Sequence, residues 1–204
     1  MIYSSLRNFL FISFSPSLRA NSSTLFIVYI FFIILVSKYC KKDWIKNYGD
    51  ILQKTSYIYN PIGEYREKNI LNIEGEIVIS VARFSSEKRL WHIIRMFSSV
   101  VKVIPNAKLL MLGDGELFPA IEKLAKDMRL EENIHFLGHV DNVEDYLELS
   151  KVFVTASESE SFGCAIVEAM RCGVPIVAND CPGGVREVLA IKDDRRSGDV
   201  IRGG

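Results

Sequence analysis

The chain is 204 residues long, 49% apolar and 11% aromatic, with 25 basic and 25 acidic side chains. That length holds one domain, or one domain plus a piece of another. Zero net charge excludes the broad basic footprint of a nucleic-acid binder, and the apolar content excludes a disordered, collagen-like or coiled-coil chain.

Charge is unevenly placed. No acid precedes Asp43, and the first 42 positions carry only Arg7, Arg19, Lys38, Lys41 and Lys42 as charges. Within that stretch, Leu25 to Val36 is a run of twelve apolar residues. As a helix it would span ~18 Å, against ~30 Å for a bilayer core. Ser37, Lys38, Tyr39 and Cys40 follow it without a small-residue cleavage pattern. Three readings stand: a buried strand remaining from a preceding domain, a membrane anchor or uncleaved signal, and a non-native N-terminus. From Lys38 onward the composition is ordinary, and Asn60-Pro61 with Gly63 marks a turn. The expected division is an N-terminal segment over 1–62 and a main domain over 63–204.

After Glu76 the sequence alternates short β-branched runs with amphipathic stretches. Ile77–Ala82 reads as a buried strand. Leu90, Trp91, Ile94, Phe97, Val101 and Ile104 recur at helical spacing up to Pro105. Leu109–Leu112 follows as strand, Leu117–Met128 as helix, Ile134–Phe136 as strand and Asn142–Leu149 as helix. Val152–Val154, a helix over Gly163–Cys172, and Pro175–Ala178 complete the series. Five strands separated by helices require right-handed crossovers, so the expected fold class is α/β, a Rossmann-like parallel sheet with helices on both faces. Ligands of such sheets bind at the carboxyl ends of the strands.

Cys40, Cys164, Cys172 and Cys181 have no zinc-site spacing and read as reduced cytosolic thiols. His135 and His139 are four apart, but Phe136, Leu137 and Gly138 between them argue strand and turn rather than a metal-binding helix face. At the strand ends, Arg83 and Lys88 are either surface and helix-start cations or a pair that clamps a phosphate. Gly113-Asp114-Gly115 lacks the third glycine of a dinucleotide fingerprint, because position 118 is Phe118; a tight turn is the simpler reading. In Ser157–Met170 a strand ends in a loop of acids and serines, and a helix opens at Gly163. Free amides at that opening suit a phosphate. Glu160 lies just outside the helix, and Glu168 lies a turn inside it, leaning back toward the opening. These carboxylates either complement the helix and solvent, or accept hydrogen bonds from sugar diols. Asn179–Glu187 is a glycine loop entering a helix, either a close backbone approach or a turn. No D-x-D occurs, which counts against a metal-held diphosphate.

Together these residues resemble the nucleotide-sugar-binding half of the GT-B glycosyltransferases, in particular retaining family 4, the group 1 glycosyl transferases. The likeness runs from roughly Val36 to Leu189. The E-x7-E signature matches Glu160 and Glu168 in ESFGCAIVEAM, followed by CGVPIVA; the basic pair matches Arg83 and Lys88 in VARFSSEKRL; GDGE and FLGHV fall in order. The resemblance implies transfer of a sugar from a nucleotide-diphosphate sugar to a glycan or lipid-linked acceptor, with retention, no cofactor and no obligatory metal. It implies that Arg83 and Lys88 hold the diphosphate, that Glu160 contacts the donor sugar, and that Glu168 holds the ribose. Amides near Phe162 and Gly163 would assist, and the strand and turn Phe136–Val140 would lie beside the base. The NDCPGGVREV loop resembles enzymes of surface polysaccharide and glycoprotein assembly, which favours a UDP-sugar. The implied setting is the cytoplasm, with peripheral association at the cytoplasmic face of the membrane left open, and no nucleic-acid partner.

The departures also count. The family's N-terminal acceptor domain is largely missing, with Ile34–Lys38 resembling its last strand, and Ala190–Gly204 does not resemble the family's continuation. The chain is expected to be truncated at both ends. The alternatives are a catalytically inactive nucleotide-sugar-binding module or fragment, and a general α/β interaction domain.

Overall fold

The computed structural model describes residues 33–48, 55–61 and 73–190. The chain divides into two compact units between Asn60 and Pro61. In the first, strand β1 (Ile33–Leu35) leads through helix α1 (Lys38–Tyr48) to strand β2 (Thr55–Tyr57), which pairs parallel to β1 with Leu35 opposite Tyr57. Ser37, fully buried, starts α1: its Oγ accepts the N–H of Cys40 at 3.1 Å, which satisfies one of the helix's orphan donors. The end of the apolar run is thus strand, while residues 25–32 lie outside the described residues. Among the described residues no helix is long and apolar enough to cross a membrane.

The second unit runs β3 (Ile77–Val81), α2 (Leu90–Val103), β4 (Lys108–Leu112), α3 (Phe118–Asp127), β5 (Ile134–Gly138), α4 (Val143–Leu149), β6 (Val152–Thr155), α5 (Cys164–Arg171), β7 (Ile176–Ala178) and α6 (Val185–Val188). The five strands form one parallel sheet in the order β5-β4-β3-β6-β7. The expected Rossmann-like class is therefore observed, with strand and helix limits within two residues of those read from periodicity. α2 leaves helical geometry at Ile104, whose φ of −128° is the extended conformation that the following Pro105 demands.

Both faces of the sheet are covered, which is why its strands read as unbroken apolar runs rather than alternating ones. Leu109 and Met111 of β4 pack with Ile93, Ile94 and Phe97 of α2 and Ile121 of α3. Leu110 and Leu112, on the opposite face, pack with Leu147 of α4, Phe153 of β6 and Ile166 of α5. Each such side chain contributes roughly 1.5–3 kcal/mol by leaving water, so the two cores hold the strand ends rigidly in register.

The order of the strands locates the site. The chain steps outward from β3 to β4 to β5, then returns to place β6 on the other side of β3. The reversal lies between β3 and β6, and the loops at their carboxyl ends flank the crevice where open α/β sheets bind ligands.

Candidate functional site

Both loops at that reversal carry residues singled out from the sequence. The β3–α2 loop holds Arg83 and Lys88, and the β6–α5 loop holds Glu160, Phe162 and Gly163. Lys88 Nζ stands 2.6 Å from Glu160 Oε1, with the two side chains only 19% and 17% exposed. Residues 72 apart in sequence are thus joined across the strand reversal. The same Glu160 oxygen accepts the hydroxyl of Ser157 at 2.7 Å. Arg83 is exposed at the mouth of the crevice and makes no ion pair among the described residues.

Further contacts brace the two loops together. The N–H of Glu158 donates to the carbonyl of Glu87 at 2.7 Å. Arg89 Nη2 lies 2.6 Å from Glu158 Oε1, an exposed pair contributing no more than ~1 kcal/mol. Arg89 itself sits at φ 47°, a left-handed conformation costly for an L-residue, between a short 3-10 turn over Ser86–Lys88 and the start of α2. The hydroxyl of Ser85 donates to Glu87 Oε1 at 2.7 Å and holds that carboxyl below the usual range.

Two glycine loops back the site at contact distances no other residue permits. A Cβ on Gly113 would lie 2.0 Å from the carbonyl oxygen of Ala82, directly before Arg83. A Cβ on Gly183, whose φ is +125°, would lie 1.6 Å from the carbonyl oxygen of Glu160. The Asn179–Glu187 loop is therefore a close backbone approach. Its Gly184 N–H donates to the Glu160 carbonyl at 2.7 Å, and the Pro182 carbonyl accepts the Glu160 N–H at 3.1 Å.

Gly163, at φ 87°, immediately precedes α5, and its carbonyl accepts the N–H groups of Ile166 at 3.0 Å and Val167 at 3.2 Å, which starts the helix. Phe162 beside it is buried. Glu168 lies in the second turn of α5, half-buried; its carbonyl accepts the Cys172 N–H at 3.1 Å, while its carboxylate makes no hydrogen bond among the described residues. Burial raises its pKa, and the charge of Glu144 on α4 adds to the effect, while Arg171 opposes it. Arg171 is itself paired with Glu144.

A cavity of about 420 Å³ opens at the carboxyl ends of β3, β4 and β5, lined among others by Arg83, Asp114, His139, Val140 and Val143. Val140 thus faces open space next to Arg83. Phe136 is not among the residues lining this cavity: partly buried, its ring packs edge-on against Phe118 at 5.5 Å and Phe84 at 6.2 Å, at the margin of the core that α2 and α3 cover. His135 lies in β5 and His139 beyond it, so the two are not on a helix face. Burial and the nearby Lys108 push the His135 pKa down. Among the described residues no group of three or more His, Cys, Asp or Glu side chains could hold a metal ion.

Sequence reasoning passed over Ser157, which is 1% exposed and central to the network around Glu160. Its position three residues before Glu160 was the available signal, since a hydroxyl at that spacing can reach a nearby carboxylate in a loop.

Comparison with known proteins bears on the family and the fold. The family model for glycosyl transferases group 1 matches residues 61–198. N-acetyl-alpha-D-glucosaminyl L-malate synthase of Bacillus anthracis is 35% identical over 142 residues, covering 65% of this chain and 37% of the relative. Poly(glycerol-phosphate) alpha-glucosyltransferase of Bacillus subtilis is 31% identical over 153 residues, covering 73% of this chain and 22% of the relative. The chain therefore spans well under half the length of these curated relatives. Among solved structures, Anabaena HepE in complex with UDP-glucose superposes with a TM-score of 0.66 at 24% identity, over 76% of this chain and 46% of that one. Staphylococcus aureus TarM, crystallised with fondaparinux, alpha-GlcNAc-glycerol and UDP, gives 0.65 at 23%, over 76% and 31%. With more than half of its residues matched by the family model, on a Rossmann-like sheet shared with the GT-B enzymes, the chain belongs to the glycosyl transferases group 1 family.

Proposed function

We propose that this chain binds the donor of a retaining glycosyltransferase, a nucleotide-diphosphate sugar with UDP favoured. The sugar passes to a glycan or lipid-linked acceptor in surface polysaccharide or glycoconjugate assembly. The observation that carries the reading is the Lys88 and Glu160 pair at the strand reversal, a cation and a carboxylate held together where such sheets take their ligands.

In this reading Lys88 and the exposed Arg83 bind the diphosphate. As the bond from the anomeric carbon to the diphosphate oxygen breaks, both cations stabilise the charge that develops on the leaving group. The acceptor hydroxyl forms the new bond on the same face, and its proton leaves with the diphosphate. Amides at Phe162 and Gly163 add donors at the opening of α5. Glu160 accepts hydrogen bonds from hydroxyls of the donor sugar. Glu168 takes the vicinal diol of the ribose, which would supply the hydrogen-bond donors its half-buried carboxylate lacks. The base lies along Phe136–Val140, with Val140 at the cavity and Phe136 supporting the strand from the core. The two cations do the work a divalent ion would do on the diphosphate, so the reading requires no metal or cofactor. The reaction takes place in the cytoplasm or at the cytoplasmic face of the membrane.

Calorimetric titration of the purified chain with UDP-, GDP- and ADP-sugars tests the reading, with Lys88→Ala and Glu168→Ala as controls. Saturable binding to one nucleotide class, weakened in both variants, is the expected result. Absence of binding to the folded chain, or binding untouched by either substitution, overturns it.

A further inference from the structure

The network behind Glu160 deepens the donor-site reading, on which this inference rests. A carboxylate oxygen offers about two acceptor positions. On Glu160, Oε1 already takes two donors, Lys88 Nζ at 2.6 Å and Ser157 Oγ at 2.7 Å. Oε2 accepts nothing among the described residues.

The direction of the hydrogen bonds behind Oε1 follows from elimination. Ser157 has one hydroxyl hydrogen, and a carboxylate can only accept, so that hydrogen goes to Glu160. The hydroxyl of Thr155, 3.1 Å from Ser157 Oγ, must then be the donor to Ser157. The relay runs from Thr155, the last residue of β6, through Ser157 to Glu160. Its backbone is fixed as well: Asn179 Nδ2 donates to the Ser157 carbonyl at 3.1 Å, and the Asn179 N–H donates to the Thr155 carbonyl at 3.1 Å. The sheet edge therefore determines where the Ser157 hydroxyl points, and that hydroxyl is 1% exposed with its residue.

We infer that Ser157 is a positioning residue for donor-sugar recognition: by completing, with Lys88, the two acceptor positions of Glu160 Oε1, it leaves Oε2 for the sugar hydroxyls. Lys88 alone cannot do this. It is a flexible point charge that approaches the same oxygen and must also answer to the diphosphate when the donor binds. With Ser157 removed, Glu160 is steered by Lys88 only, and both oxygens compete for the ammonium.

The test compares UDP-glucose with UDP by calorimetry, because Glu160 meets the sugar and not the nucleotide. In the wild-type chain UDP-glucose binds more tightly than UDP, and Glu160→Ala removes that advantage. Ser157→Ala is expected to reduce the advantage about five- to tenfold, with UDP affinity within about twofold of wild type. Ser157→Thr keeps a hydroxyl and restores most of the advantage. Thr155→Val, which removes the donor behind Ser157 without changing side-chain volume much, lowers it in the same direction by a smaller factor. A merely structural role for Ser157 would weaken UDP and UDP-glucose alike. If Ser157→Ala keeps the wild-type ratio while Glu160→Ala lowers it, the positioning role is wrong and the donor site stands. The same comparison is made with whichever nucleotide sugar the wild-type chain binds; if the folded chain binds none of the UDP-, GDP- and ADP-sugars, or Glu160→Ala leaves the ratio unchanged, the donor-site reading falls and takes this inference with it.

Discussion

The contact between the glycine loop and Glu160 gives the most demanding prediction, because it can be worked from geometry and has an internal control. In Gly183→Ala the new Cβ would lie 1.6 Å from the Glu160 carbonyl oxygen and 2.5 Å from its carbonyl carbon. Ordinary contact requires the two backbones to separate by about 1.5 Å or more. That movement breaks the Gly184 to Glu160 and Glu160 to Pro182 hydrogen bonds, and alanine additionally resists a φ of +125°. Overpacking at ~1–3 kcal/mol and backbone strain at ~1–2 kcal/mol give about 2–5 kcal/mol before the lost hydrogen bonds are added. Gly173→Ala is the control: φ there is +70°, but a Cβ would meet nothing within 4 Å. It carries only the left-handed backbone penalty, ~1–2 kcal/mol. At ~2–4 °C per kcal/mol, thermal unfolding should fall by roughly 4–20 °C or more for Gly183→Ala and roughly 2–8 °C for Gly173→Ala. Donor binding should vanish in the first and persist in the second, since only Gly183 touches Glu160. Equal melting temperatures for the two variants would refute the reasoning.

Lys88→Met leaves Glu160 with Ser157 as its remaining donor in a mostly desolvated position, at an expected cost of about 1–3 kcal/mol in urea unfolding, discounted for the solvent that still reaches the pair. Adding Glu160→Gln should recover part of it, and a coupling energy near zero in that double-mutant cycle would contradict the pairing. Glu168 has a pKa raised by burial and by Glu144, so its folded form favours the proton. Its contribution to stability is fully present below the ordinary carboxyl range and is lost as pH rises through the raised pKa. Glu168→Gln should therefore gain in melting temperature over wild type progressively above about pH 4.5, and a constant difference between pH 4 and pH 8 would count against this. Cys181 is buried and its thiol is pushed up to about 11, whereas Cys164 is exposed. Iodoacetamide at pH 8 followed by mass spectrometry should label Cys164 first and Cys181 only on unfolding; comparable rates would contradict the burial.

The alternation of strands and helices was legible because burial on both faces imposes long apolar runs on the strands and a 3.6-residue period on the helices. The order of the strands was not contained in that pattern, and it alone places β3 beside β6. Lys88 and Glu160 stood out by their positions at strand ends, and the family resemblance gave each a role. Their pairing came only with the fold, since no local rule relates residues 72 positions apart. Glycine spacing excluded a dinucleotide loop but could not reveal that Gly113 and Gly183 press against Ala82 and Glu160, a contact made by the backbone of another segment. For Phe136 the fold adds what the motif did not carry. Alternation along β5 sends its ring to the core with Phe84 and Phe118, while the turn beyond the strand brings Val140 to the cavity. The left-handed Arg89 had no signal at all, since arginine carries no preference for that conformation.

A crystal structure of the chain with UDP-glucose tests the central claim most directly. The diphosphate is expected in the crevice between β3 and β6, within hydrogen-bond reach of Lys88 Nζ and the Arg83 guanidinium, with the sugar against Glu160 and the ribose against Glu168. Density for the nucleotide elsewhere on the sheet, with the Lys88 and Glu160 loops untouched, would contradict it.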